Sequence, residues 1–406
     1  MSDSATVCEE LPVWAKDNAF PKSPGGWGWL DFKGNSHSCE STDQLIAAIQ
    51  NGQGDGVDLI WVPGRDYMIL PEELIEATDA ILASRLYQAK SDNAASLDKL
   101  RLFGCLLAGL SIYIFYQGWS LAPPAKQRVG SAFEAMFNST SLGISLLLFL
   151  IFAFIPWYQS RKRVRELAQW NKGDIASAVP TLRFETWLEY QKAPLTKVLL
   201  VLISVVGLAQ LLPNDALSAC GLLKDRYFHG EYWRLFTAPF LHGNLIHFLM
   251  NASALLYLGK RMEVFARWPH LPLVFLFAAC IGGEASARFV AAPSVGASGG
   301  LMGWLGFLLV FESLHGKLVP RTARRRLTAG VLLTGLIGLI GYRFIDNAAH
   351  LGGLLAGMLY ALIVFPKSTS ALRPRSTITD RIAGSLALAI LILSALFAVY
   401  RIISYA

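Results

Sequence analysis

Nine apolar runs strung between residues 102 and 403 limit what this chain can fold into more than any other feature. They occupy 102–122, 141–157, 195–212, 236–259, 271–283, 299–311, 327–342, 347–365 and 382–403. A helix crossing hydrocarbon needs about 20 mainly apolar residues. In lipid each backbone N–H and C=O must find its partner within the protein, which a helix achieves locally. The runs therefore predict an all-α polytopic membrane protein. Composition agrees, with 53% hydrophobic residues and a mean hydropathy of +0.42.

Charge orients the runs. The net charge of +7 divides into −9 over the first 100 residues, which carry 16 acidic and 7 basic side chains, and +16 over the rest. Basic residues threaded between apolar runs mark loops held on the cytoplasmic side, a better account of them than contact with nucleic acid. With the N-terminus inside, the inner connections 159–197, 260–270, 315–326 and 367–381 hold 20 Lys and Arg, against 8 on the other side. The expectation is a multi-pass protein of the cell (inner) membrane with a cytoplasmic N-terminus.

Residues 1–20 lack the basic start and apolar core of a secretory signal. Residues 1–100 are thus expected to form a small, soluble, acidic α+β domain, with a strand at 57–62 and an amphipathic helix at 71–88. Two accessory transmembrane helices (101–158), a basic cytoplasmic linker (159–194), a six-helix core (195–366) and a linker with a C-terminal transmembrane helix (367–406) complete the expected layout. Gly52-Gln53-Gly54-Asp55 matches the GxGD string of intramembrane aspartyl proteases, but its polar, turn-rich setting reads as a surface turn. The five cysteines, Cys8, Cys39, Cys105, Cys220 and Cys280, show no CxxC spacing and suggest neither a disulfide framework nor a metal site.

Chemistry concentrates in three strings. In Gly296-Ala297-Ser298-Gly299-Gly300 a lone hydroxyl sits among residues without bulk at the start of an apolar run. Small residues that let two helices approach are one account of it. A second is an activated serine, because His350 opens another run in Ala349-His350-Leu351-Gly352-Gly353. The charge ladder puts both at the outer ends of their helices. The third string contains His242, His247 and Asn251; the last two are four apart and share a helix face, serving either interhelical hydrogen bonding or a site. His242 belongs to the preceding loop. No HExxH string occurs, so the histidines do not read as a zinc site, and no cofactor is expected.

The order W-R, H-x-x-x-x-H-x-x-x-N, G-x-S-G, A-H-x-G-G on successive apolar runs resembles the rhomboid intramembrane serine proteases. The matching residues are Trp233-Arg234, then His242, His247 and Asn251, then Gly296, Ser298 and Gly299, then Ala349, His350, Gly352 and Gly353, within about 195–366. The resemblance implies a rhomboid-like six-helix core in which Ser298 is the nucleophile and His350 its general base. It implies that His247 and Asn251 bind the oxyanion, that Trp233-Arg234 belong to a membrane-embedded first loop, and that Glu263 anchors the cytoplasmic end of its helix. The implied partners are the bilayer and transmembrane protein substrates cleaved in or beside a membrane segment, with the active site towards the external face. Residues 1–100 stay available to a cytoplasmic partner.

The roles are chemically coherent. Imidazole titrates near neutrality and can take and return the serine proton. With no acid in the dyad, packing or a hydrogen bond from Asn347 would orient the ring. Gly299, Gly300, Gly303 and Gly306 on one helix would face Gly352, Gly353 and Gly357 on the other, bringing the backbones close. Where many rhomboids carry an aromatic one turn after the serine, this chain has Met302. Two rival classes remain: a non-catalytic rhomboid-like binder or chaperone of transmembrane segments, which the retention of both Ser298 and His350 opposes, and a transporter, for which the chain lacks an internal repeat.

Overall fold

The computed structural model describes residues 11–51, 56–121 and 127–405. Gly52-Gln53-Gly54-Asp55 and Cys8 lie outside the described residues. The chain divides into two compact units, 17–183 and a second formed by 1–16 with 184–406. The secondary structure is mostly helical, with one small sheet near the N-terminus.

In the first unit, three antiparallel strands, β1 (Trp27–Asp31), β2 (Ser36–Cys39) and β3 (Val57–Trp61), pair in the order β2-β1-β3. Helix α1 (Thr42–Asn51) covers them, burying Leu45 and Ile49 against Ile60, Val62, Ile69, Ala77 and Ile81. Asp31 ends β1 and ties the hairpin by accepting from the Lys33 and Asn35 amides at 2.9 and 2.8 Å.

The helix expected at 71–88 starts later and runs much further. Two 3-10 turns, Pro71–Glu73 and Ile75–Ala77, precede α2 (Thr78–Ser120), 43 unbroken residues. No glycine or proline lies between 78 and 103, so nothing in the sequence stops the helix where charge gives way to apolar residues. Helices α3 (Arg128–Asn138), α4 (Thr140–Phe149) and α5 (Ile155–Leu167) pack on α2, with α4 and α5 continuous through a π turn at Leu150–Phe154. Helix α6 (Lys172–Tyr190) follows, and its Arg183 donates to both carboxylate oxygens of Glu73 at 2.6 and 2.8 Å.

The second unit holds α7 (Pro194–Ala209), three short helices α8 (Ala216–Cys220), α9 (Lys224–Phe228) and α10 (Arg234–Thr237), then α11 (Leu245–Phe265), α12 (His270–Phe289), α13 (Ser298–Leu314), α14 (Arg321–Ile340), α15 (Asn347–Val364) and α16 (Ile378–Ser404). Among the described residues five helices are long and apolar enough to cross a membrane, six if the bent pair α6–α7 counts as one span. Each of the nine apolar runs is mainly helical; the run at 236–259 is interrupted, its helix starting at Leu245 with Asn244 as cap.

The centre of the second unit is the trio α12, α13 and α15. Helices α13 and α15 touch through backbone. A Cβ on Gly353 would lie 2.1 Å from the Gly299 carbonyl oxygen, and one on Gly357 only 1.8 Å from that of Gly303. Gly306 likewise meets the Leu354 carbonyl. Two expected partners turn elsewhere: Gly300 faces Phe275, and Gly352 faces Gly282 and Ala285, so both serve α12. Gly357→Ala is expected to lower stability by about 1–3 kcal/mol, as overpacked cores do. Gly335→Ala on α14, where a Cβ meets nothing within 4 Å, is expected to be neutral or slightly stabilising. Thermal unfolding of the detergent-purified chain measures both.

Candidate active site

Four polypeptide segments converge at one end of the α13–α15 seam. Ser298 is the first residue of α13, so its amide belongs to the four N–H groups a helix leaves without an internal partner. His350 lies in the first turn of α15. Next to them Gly299 comes within 3.7 Å of the Ala349 carbonyl oxygen, measured from an ideal Cβ, so the serine and the histidine sit at the same level of the seam. Both side chains are half-buried, and no hydrogen bond joins them.

The segment before Ser298 is held on two sides. Ser294 pairs with Leu222 through both backbone hydrogen bonds, at 3.0 and 3.2 Å, and the Gly296 amide donates to Ala238 O at 3.0 Å. Gly296 has φ +119°, a conformation costly for any residue with a side chain. The His247 ring fills the space where that side chain would stand, with Cε1 and Nε2 2.7 and 2.8 Å from an ideal Cβ. Asn251 Nδ2 is 3.4 Å from the same point. It is buried and has no hydrogen-bond partner, an uncommon state for an amide donor.

His242 lies in the loop before α11, three residues ahead of Leu245, and is buried with its ring edge-to-face against His247, centroids 5.2 Å apart. Its backbone exchanges two hydrogen bonds with the Gln210 side chain. Arg234 is wholly buried, donating to Glu231 and to the carbonyls of Gly221 and Ser218, which knits the loop helices together. Trp233 lies beneath the Arg234 guanidinium and edge-to-face with Phe397 of α16. Glu263 stands far along α11 and accepts from the Leu195 and Thr196 amides at 3.1 and 3.0 Å, satisfying the N-terminus of α7. Asn347 is not bonded to the His350 ring. Its amide donates to Gly338 O at 2.9 Å and fastens α15 to α14. Met302 follows Ser298 by one turn and is half-buried. Among the described residues no cluster of His, Cys, Asp and Glu could hold a metal ion.

Reading the sequence missed a polar cluster beside this site, formed by Lys224, Ser286, Ser294 and Asp346. None of the four lies within a motif string, and three sit in segments with no spacing relation to one another.

Residues 229–367 match the family model described as Rhomboid domain. The chain is 30% identical over 221 residues to the rhomboid protease GlpG of Yersinia pseudotuberculosis serotype I, covering 52% of this chain and 76% of that protein. It belongs to the rhomboid family. Other relatives are the rhomboid protease GluP of Bacillus subtilis, 34% identical over 136 residues, and RHOMBOID-like protein 4 of Arabidopsis thaliana, 33% identical over 135. These two matches cover 32% and 33% of this chain, but only 26% and 34% of the relatives' own lengths. Family and apolar helices together make this a multi-pass membrane protein. In this rhomboid chain Gly296→Ala is expected to lower the unfolding temperature, because both the backbone angle and the His247 ring oppose the added methyl. Thermal unfolding of the purified variant checks it.

Proposed function

We propose that this rhomboid protein is an intramembrane serine endopeptidase that hydrolyses peptide bonds in or beside transmembrane segments of other proteins. Ser298 Oγ attacks the scissile carbonyl while His350 takes its proton. The same imidazole then protonates the leaving amine, and water hydrolyses the acyl-enzyme in a second, equivalent cycle.

The observation that carries this reading is the unpartnered, buried Asn251 Nδ2 beside Gly296, two residues before Ser298. A buried donor without an acceptor is expensive in apolar surroundings. It finds a use when the tetrahedral intermediate presents an oxyanion beside the serine. His247 and the Ser298 amide at the positive end of α13 supply the other donors. The half-buried state of Ser298, His350 and His247 leaves them reachable by water and substrate.

A helical substrate must lose local hydrogen bonds before its carbonyl can be attacked, so small or helix-weakening residues are expected at the scissile bond. Lateral entry beside α14 suits the packing, since this helix leans chiefly on α13 and exposes Leu332, Leu336 and Leu339. On the charge ladder the site opens towards the external face, the N-terminus lies in the cytoplasm, and the helices are read as two accessory spans, a six-span core and one C-terminal span.

Fluorophosphonate labelling of the full chain in liposomes tests the assignment. Ser298→Ala and His350→Ala are expected to eliminate labelling, and Asn251→Ala to slow it about a hundredfold, the usual effect of one oxyanion donor. Labelling that survives loss of Ser298 ends the proposal.

A further inference from the structure

The Lys224 cluster lies outside every motif, yet it touches the segments that carry Ser298 and His350. Lys224 comes from α9, is 9% exposed, and donates to Ser286 Oγ of α12 at 2.7 Å and Ser294 Oγ at 2.8 Å. Both hydroxyls donate in turn to Asp346 Oδ2, while Asp346 Oδ1 caps α15 by accepting from the Ala349 amide at 2.9 Å. The two hydroxyls also lie 2.7 Å from each other, within hydrogen-bond reach, so they share their protons between themselves and the carboxylate while the ammonium donates to both. The group is an ion pair relayed through two hydroxyls, in which neither charge lacks a partner.

Its members bear a fixed relation to the dyad. Ser294 precedes Ser298 by four residues, and Asp346 precedes His350 by four. The loop ahead of the nucleophile and the cap of the base's helix are thus fastened to each other and to the external loop, whose Leu222 already pairs with Ser294. Lys–Ser contacts also occur in Ser–Lys hydrolases. Here Ser286 is wholly buried and both hydroxyls face the carboxylate, so no nucleophile addresses a cleft.

We propose that Lys224 and Asp346, joined through Ser286 and Ser294, form a latch that sets the distance between Ser298 and His350, which makes them positioning residues for the dyad. This rests on the serine–histidine reading above. The latch needs the ammonium. Burial pushes the Lys224 amine down to about 8, with the Asp346 charge opposing the fall. Of the other titratable and charged groups on the packed elements, Glu284 is engaged by Tyr227 and Arg288, Arg226 by Ser218 and Tyr405, and Arg234 by Glu231, while Asp225 follows Lys224 on α9 and His350 follows Asp346 on α15.

Activity and stability then part company at alkaline pH. Above about 8 the folded chain sheds this proton while the unfolded chain keeps it to about 10.5, so the group's contribution to stability rises with pH. The latch meanwhile loosens and labelling slows. A purely structural lysine would not separate the two.

The test is the rate of fluorophosphonate labelling at Ser298 against pH, with thermal unfolding of the same samples. The wild type is expected to lose rate above pH 8 without a matching fall in Tm. Lys224→Arg, charged throughout, is expected to lack that limb. Lys224→Met is expected to label about a hundredfold more slowly at pH 7, the scale of a 1 Å misplacement. Adding Asp346→Asn, which keeps the cap, is expected to recover part of that loss rather than multiply it. A wild-type rate flat to pH 10, an unchanged limb in Lys224→Arg, or losses that multiply would each overturn the latch while leaving the dyad standing. A wild type unlabelled at Ser298 would overturn the serine–histidine reading and the latch with it.

Discussion

The candidate site depends on contact between two helix backbones. Where Gly353 and Gly357 of α15 rest on the carbonyls of Gly299 and Gly303, no side chain separates α13 from α15. Serine is among the shortest polar side chains, and it can serve an imidazole on a neighbouring helix only if the axes are unusually close. Lipid adds no hydrophobic drive between such helices, so association relies on the close packing that small residues allow. The glycines that look like a weakness in a helix are here the condition for the geometry.

A second constraint is the treatment of buried polar groups. The loop before α11 is organised around the wholly buried Arg234, whose donors meet one carboxylate and two carbonyls. Glu263 closes the open end of α7, and Arg261 pairs with Glu312 at 2.7 Å between α11 and α13. Polar groups in such positions are expensive unless matched. Against that background the bare Nδ2 of Asn251 stands beside the equally unpartnered ring nitrogens of His242, a local concentration of unmatched polar atoms.

The legible part of the candidate site was the part written in contrast. Ser298, His350, His247 and Asn251 are polar letters in apolar text, and their order along the chain carries the resemblance to rhomboids. The Lys224 cluster was not legible, since a lysine in a polar loop and two ordinary serines carry no spacing signal; only the fold brings them to Asp346. Asn347 was one of two ways of orienting the ring that the sequence left open, the other being packing, but its position on the helix turns it to Gly338. Gly300 and Gly352 went to α12 for the same reason, each being one residue off the stripe that faces the partner helix. At the N-terminus, charge suggested an end near residue 100, whereas helix continuity is decided by the absence of breakers.

That continuity has a mechanical side. At 43 residues α2 is about 65 Å long by the helical rise, roughly twice the hydrocarbon thickness of a bilayer. Its first half is charged and its second is apolar enough to cross a membrane, so one rod joins a polar stretch to an apolar one. A flexible tether would absorb a push or a twist applied at one end. A stiff rod hands it on, so a displacement of the sheet at the base of α2 reaches the apolar half as torque and tilt.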